Sequence, residues 1–460
     1  MSPETAQPGT VLTILNIALV VLRLGAACVL LAFALYWRSP IFANARMSAL
    51  VVFLFAAVML IALEVVLWRR LSRTKLTTVL SSATFIVAGG ALALTLAYEA
   101  QFRWQRHHVL NADAATVEQL GRHFIVGYRD LGELRALVER RAVAGVFVSA
   151  HNVSGKDADT IRREIASLQS IRSRQGLPKL LIATDQEGGM VSRMSPPLDR
   201  LTTLGEIVRS HHDAAERLIA VRQYAAKQGR ALARLGFNLN FAPVVDLNHN
   251  VVNPNDRYTR ITERAISADP KVVTIVAGEY CDALLQTGVH CTLKHFPGLG
   301  RVVEDTHTEA ADLTAEMKTL ADTDWMPFRE LMHSAGAFTM LSHARLTALD
   351  RDTPASFSAR VVSGLLRGEW KHNGVLVTDD FSMGAAYSSA EGLPGAGLAA
   401  LNAGVDLILI SYDPDQFYPV MDALIRAEAD GRLRKDVLDR SEQRLAAVLP
   451  VNQGHAAIRP

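Results

Sequence analysis

HCTLKHFPGLGRVVEDTH, residues 290–307, starts as a short apolar strand and runs into a loop carrying an Asp and a His two positions apart. A strand that delivers polar groups from its C-terminal end into a Gly- and Pro-rich loop is the repeating unit of a (β/α)8 barrel, whose chemistry gathers on that rim. Asp305 can accept a hydrogen bond from one ring nitrogen of His307. That bond would fix the tautomer, orient the ring and raise its basicity, which makes the pair acid/base machinery. Pro297, Gly298 and Gly300 suggest a loop able to reposition the pair.

Working outward, seven further runs have the same character: HFIVGY at 123, AGVFVSA at 144, KLLIATD at 179, LNFAPVVD at 239, AFTMLSH at 337, GVLVTDD at 374 and DLILIS at 406. Most are separated by enough chain for a crossover helix, and RLIAVRQYAAKQGRALARLG, 217–236, has the spacing and terminal Gly of one. The α/β class and a TIM-type (β/α)8 barrel over 106–450 follow, with a polar tail at 451–460. Asp185, Asp246, Lys294, His295, His343, Asp379 and Asp380 all fall at or just past strand ends, the catalytic face of such a barrel.

The first hundred residues differ. Val11–Trp37, Met47–Trp68 and Leu76–Tyr98 are apolar runs of roughly 22 to 27 residues, where about 20 suffice to cross a bilayer. They predict a three-helix membrane anchor over 1–105. The first run exceeds a secretory h-region and no small-residue cleavage site follows it, so a cleaved signal peptide is not expected. Arg23 and Glu64 interrupt two of the runs, to pair with each other, face a helix interface or mark a function. Arg69, Arg70, Arg73 and Lys75 in the second loop outnumber Arg38 and Arg46 in the first. The positive-inside rule then puts the second loop in the cytoplasm and the barrel on the outer side of a bacterial cytoplasmic membrane. A formal net charge of +2 argues against a nucleic-acid partner. Cys28 lies in an apolar segment, and Cys281 and Cys291 are expected to be free, buried thiols.

Two constellations complete the chemistry. In TDQEGGMVSR, 184–193, Asp185 is placed to accept hydrogen bonds from polyol hydroxyls, with Arg193 holding carboxylates or ligand. In VTDDFSM, 377–383, successive strand side chains point to opposite faces, so one carboxylate enters the barrel mouth. Asp379 is read as that group and as a nucleophile, with Asp380 as the better helix cap. His295, Asp305 and His307 are also metal-ligand types. No HxH follows the first strand, however, and neither metal nor cofactor is expected.

KHFPGxGxxxxDTH, DQEGGxVxR, APVVD and VTDDFSM, in this order, resemble the single-barrel β-N-acetylglucosaminidases of glycoside hydrolase family 3, over roughly residues 115 to 420. The resemblance implies a retaining double displacement. Asp379 attacks the anomeric carbon, while His307, supported by Asp305, protonates the leaving oxygen and then activates water. It implies sugar-binding roles for Asp185, Arg193, Lys294 and His295, and by a looser match Arg264, with Arg257 or Arg260 as alternatives. The expected partners are an amino-sugar oligosaccharide or muropeptide and a lipid bilayer. A β-glucosidase or β-xylosidase of the same fold and a catalytically silent wall-sugar sensor are the alternatives, and phosphate is an alternative acceptor to water. The chain departs from the family pattern at Leu299, where PGHG becomes PGLG, and across NPNDRYTRITERAIS, 253–267, which carries a few extra residues.

Overall fold

The computed structural model describes residues 8–70, 74–334, 336–390 and 392–449; Arg73 and the tail at 451–460 lie outside them. The chain divides into two compact units, Met1–His107 and His108–Pro460.

The first unit is built from α1 (Pro8–Tyr36), α2 (Arg46–Arg70) and α3 (Lys75–Asn111), the last of which runs on into the second unit. All three are long and apolar enough to cross a membrane. Ala34, Phe53, Ala57 and Ala91, drawn from all three helices, form one buried cluster, in which the three alanines let the backbones approach. Leu22, Val29, Val52, Phe55, Val79 and Ile86 point outward and are exposed. That arrangement leaves apolar surface where a soluble bundle would be polar. Arg23 and Glu64 pair with each other inside the bundle, so neither charge faces the apolar exterior alone.

The second unit is a barrel of eight parallel strands: β1 (Phe124–Val126), β2 (Gly145–Phe147), β3 (Leu181–Thr184), β4 (Leu239–Asn240), β5 (Thr292–Phe296), β6 (Phe338–Leu341), β7 (Leu376–Asp380) and β8 (Leu407–Ile410). Each lies within one of the eight apolar runs. The continuous ladder runs β4-β3-β2-β1-β8-β7-β6-β5. Isolated parallel bridges, Leu239 to His290 and Val244 to Lys294, join its two edges and nearly close the ring. Alternate residues point inward, so Ile125, Leu181, Ala183, Phe241, Met340, Val377 and Leu409 share one core cluster.

Outside the strands lie α4 (Leu131–Glu139), α5 (Ala158–Arg174), α6 (Ala214–Leu235), α7 (Pro270–Leu285), α8 (Met326–Leu331), a π-helix at Arg360–Glu369, α9 (Gly392–Ala403), α10 (Phe417–Ala429) and α11 (Lys435–Val448). Asp213 caps the start of α6 by accepting from Ala215 and Glu216 N–H, and Gly236 ends it at φ +100°. Only a residue without Cβ takes that conformation at no steric cost.

The expectation for the cysteines needs correction. Cys281 and Cys291 are not free: they form a disulfide between the last turns of α7 and the approach to β5. The tight turn after α7 folds the chain back, bringing the two Cα atoms to 5.4 Å, well inside the range a disulfide spans. Cys28 is free but exposed on its helix rather than buried. In the 297–300 loop, Gly300 also answers a demand of close packing. A Cβ on Gly300 would stand 1.9 Å from Leu247 O, Gly298 sits at φ +113°, and Leu299 is buried. Trp325 Nε1 donates to Pro297 O at 3.0 Å and holds the loop from outside.

Candidate active site

The C-terminal ends of β3, β4, β5 and β7 converge on one polar cluster. Past β3 the chain forms an antiparallel hairpin, Gln186–Gly188 against Val191–Ser192, turned by Gly188 (φ +97°) and Gly189 (φ +59°). A Cβ on Gly188 would lie 2.2 Å from Thr202 O, so the turn admits no other residue without rearrangement. The hairpin directs Asp185 and Glu187 toward Lys294 in the middle of β5. Lys294 Nζ sits 2.7 Å from Asp185 Oδ1 and 2.7 Å from Glu187 Oε1. Glu187 also takes a two-pronged contact from Arg264, Nε to Oε2 at 2.9 Å and Nη2 to Oε1 at 2.7 Å.

Two cations and two carboxylates thus balance in a pocket where Lys294 is only 2% exposed. Burial by itself would raise the Glu187 carboxyl, but Arg264 and Lys294 outweigh it and hold the group well below the usual range. Burial would likewise lower Lys294, and the two carboxylates reverse that, so the ammonium stays charged.

His295 is the next layer. Its Nδ1 lies 2.6 Å from Asp246 Oδ2, which also accepts the His295 backbone N–H at 3.0 Å; the other oxygen of Asp246 accepts Leu299 N–H at 2.7 Å. One carboxylate thereby sets the orientation of the imidazole and pins the PGLG loop. Nε2 of His295 is 3.3 Å from Arg264 Nη2.

On the loop above, His307 Nδ1 lies 3.0 Å from Asp305 Oδ1, with its own backbone N–H donating to the same oxygen at 3.0 Å. Thr259 Oγ1 donates to that oxygen at 2.9 Å, and the N–H groups of Arg257 and Tyr258 reach Oδ2 at 3.2 Å each. Burial pushes Asp305 up, yet these donors, His307 foremost, keep its carboxyl well below the ordinary range. An ionised Asp305 against Nδ1 leaves Nε2 of the ring, 39% exposed as a side chain, for proton transfer.

The paired carboxylates of β7 part company. Asp380 is occupied: it accepts Ser382 N–H and Ser411 N–H at 2.9 Å, Ser411 Oγ at 2.5 Å and Tyr412 N–H at 2.8 Å. Asp379 accepts only the Asp380 N–H, at 2.9 Å, among the bonds of the described residues. Burial would raise its pKa; His295, His343 and His307 more than offset this, and the carboxyl lies below its usual value. His343 is itself locked, Nδ1 at 2.7 Å from Ser356 Oγ and Nε2 donating to Asp380 O at 3.0 Å.

Of the residues singled out in the sequence, Asp185, Arg264, Lys294, His295, Asp305, His307 and Asp379 belong to this cluster or border it. Arg193 only flanks it: its backbone N–H donates to Asp185 O at 3.0 Å and its side chain is exposed. Among the three arginines of 253–267, Arg264 is the one turned inward, whereas Arg260 pairs with Glu263 at the surface. Glu187, Thr259 and the orienting role of Asp246 escaped the sequence reading. Glu187 was within the quoted TDQEGG segment, but nothing there names Arg264, 77 residues on, as its partner.

Comparison with known proteins places this geometry. Residues 114–448 match the glycosyl hydrolase family 3 N terminal domain. The chain is 32% identical over 344 residues to the beta-hexosaminidase LpqI of Mycobacterium tuberculosis, covering 73% of this chain and 83% of that protein. To a beta-hexosaminidase of Xanthomonas euvesicatoria it is 33% identical over 280 residues, 60% of this chain and 79% of the relative. Among solved structures it is similar to a glycoside hydrolase family 3 beta-N-acetylglucosaminidase from Paenibacillus, with a TM-score of 0.65, 30% identity, and coverage of 72% of this chain and 61% of that one. A family 3 glycosyl hydrolase from Mycobacterium smegmatis gives a TM-score of 0.64 and 32% identity over 74% of this chain and 98% of the other. The chain therefore belongs to glycosyl hydrolase family 3.

Proposed function

We propose that this glycoside hydrolase is a membrane-anchored, retaining exo-β-N-acetylglucosaminidase that removes terminal β-linked N-acetylglucosamine from peptidoglycan-derived fragments. The observation that carries the reading is the division of labour at the strand ends. One carboxylate, Asp379, is ionised and lightly hydrogen-bonded, and a separate Asp305–His307 dyad stands within electrostatic reach of it. Named relatives that are beta-hexosaminidases support the sugar assignment.

In the first step an Asp379 oxygen attacks the anomeric carbon. The glycosidic C–O bond breaks, its electron pair goes to the leaving oxygen, and His307 Nε2 gives that oxygen a proton. In the second, Nε2 takes a proton from water as the water oxygen attacks the same carbon and frees Asp379, restoring the starting state. Asp305 balances the imidazolium that precedes the first transfer. Asp185, Arg193, Lys294, His295 and Arg264 are assigned to the sugar, with Glu187 keeping Lys294 and Arg264 in place.

For location, we assign the three N-terminal helices to a bacterial cytoplasmic membrane and the barrel to its outer side. The loop charges support that orientation, and so does the Cys281–Cys291 disulfide, a bond that persists in oxidising compartments. A fluorogenic β-N-acetylglucosaminide added to intact and to permeabilised cells tests activity and sidedness together. Equal turnover in both is expected. Turnover only after permeabilisation would reverse the orientation, and preference for the matching β-glucoside would reassign the sugar.

A further inference from the structure

The stretch that departs from the family pattern, 253–267, is the one wrapped around the acid/base dyad. Its backbone at Arg257 and Tyr258 and the hydroxyl of Thr259 clamp Asp305, while Asn253 Nδ2 donates to Val303 O at 2.8 Å and ties the two loops together. Between these ties Tyr258 turns its side chain outward. Its ring centroid is 5.4 Å from that of His307, at an interplanar angle of 42°, and the residue is 57% exposed.

We propose that Tyr258 is the platform on which the departing sugar stacks, and hence a determinant of leaving-group choice; this rests on the glycosidase reading above. The glycone side of the site is the buried side, where Lys294, Glu187 and Arg264 lie. The oxygen that His307 protonates leaves with the aglycone, so the aglycone lies on the open side of that imidazole. Tyr258 is the aromatic surface packed there against the His307 ring. A pyranose presents an apolar C–H face, and an aromatic ring matches it with a flat surface of low conformational entropy and a negative π face. Single exposed tyrosines are ordinary on protein surfaces. This one is distinguished by its own backbone N–H, which donates to the Asp305 carboxylate that supports His307 and so anchors the residue beside the proton-transfer group.

The test compares two substrates, N,N′-diacetylchitobiose, whose leaving group is a sugar, and β-N-acetylglucosaminyl fluoride, whose leaving group is one atom. For Tyr258→Ala the loss of kcat/KM on the disaccharide is expected to exceed the loss on the fluoride by up to about tenfold, the worth of one ring stacking. The excess falls mainly in KM, and Tyr258→Trp restores it. Tyr258→Leu keeps bulk beside His307 while removing the aromatic face, and gives the same split if the Ala variant folds poorly. Equal losses on both substrates, or none on either, would overturn the proposal. Failure of the wild-type enzyme to cleave either substrate would instead overturn the glycosidase reading beneath it.

Discussion

Glu187 bridges two cations of the pocket, touching both Arg264 and Lys294 through Oε1. Removing one partner from a buried charge network leaves the others desolvated and unbalanced, at a cost of about 3–5 kcal/mol. Glu187→Gln retains shape and hydrogen-bonding atoms but leaves a net positive pocket. The expected outcome is a raised KM and a lowered melting temperature together, read by steady-state kinetics and calorimetry on the same preparation. A rise in KM at unchanged stability would mean that Glu187 contacts sugar rather than holding the cations. Its role was hidden in the sequence because a carboxylate two positions after Asp185 has no local sign of which distant cation it meets.

At the level of elements, the strands were readable because each is a short apolar run ending in a polar residue, a pattern that survives tertiary context. The loops were less so. Thr259 reaches Asp305 across 46 residues, and Cys281 meets Cys291 only because the turn after α7 doubles back. Glycines 298 and 300 read as freedom of movement, and the backbone oxygen against Gly300 adds a steric demand that has no local sign in the sequence.

The opposite end of the barrel has its own buried network, which no motif announces. Asp406, just before β8, accepts from Arg367, Arg444 and Ser441 and from Leu376 N–H, so the last helix is bound to the strand starts. Polar groups at that end of a barrel serve stability. Asp406→Ala is expected to cost about 3–5 kcal/mol of unfolding free energy, measured by urea titration. The kcat of whatever fraction remains folded should be nearly normal, since Asp406 is remote from the C-terminal strand ends.

Across the whole molecule, four histidines outside the proposed proton-transfer step are shifted the same way: His123, His343 and His372, which are buried, and His290, which is half-buried. Burial lowers the pKa of each, to about 3 for His372, whose ring nitrogens have no hydrogen-bond partner among the described residues. The unfolded chain binds these protons near pH 6.5 and the folded one does not, so stability is full above that pH and falls as pH drops toward the folded values. His372 alone then contributes a loss of ~2 kcal/mol between pH 7 and pH 5. Asp305, Asp379 and Glu187, all depressed, add stability that is kept above the ordinary carboxylate range and lost only in stronger acid. A melting temperature that declines already between pH 7 and 5, with a shallower slope in His372→Phe, is the expected result. A flat profile down to pH 5 would contradict it.

The central claim is that Asp379, and not its neighbour Asp380, forms the bond to sugar. It is tested most directly by incubating the enzyme with 5-fluoro-β-N-acetylglucosaminyl fluoride, which slows release of a glycosyl-enzyme, followed by acid quenching, proteolysis and mass spectrometry. The predicted result is one glycosyl group on the peptide spanning 374–384, with fragmentation placing it on Asp379. A label on Asp380, or complete turnover of the reagent with inverted product and no labelled peptide, would contradict it.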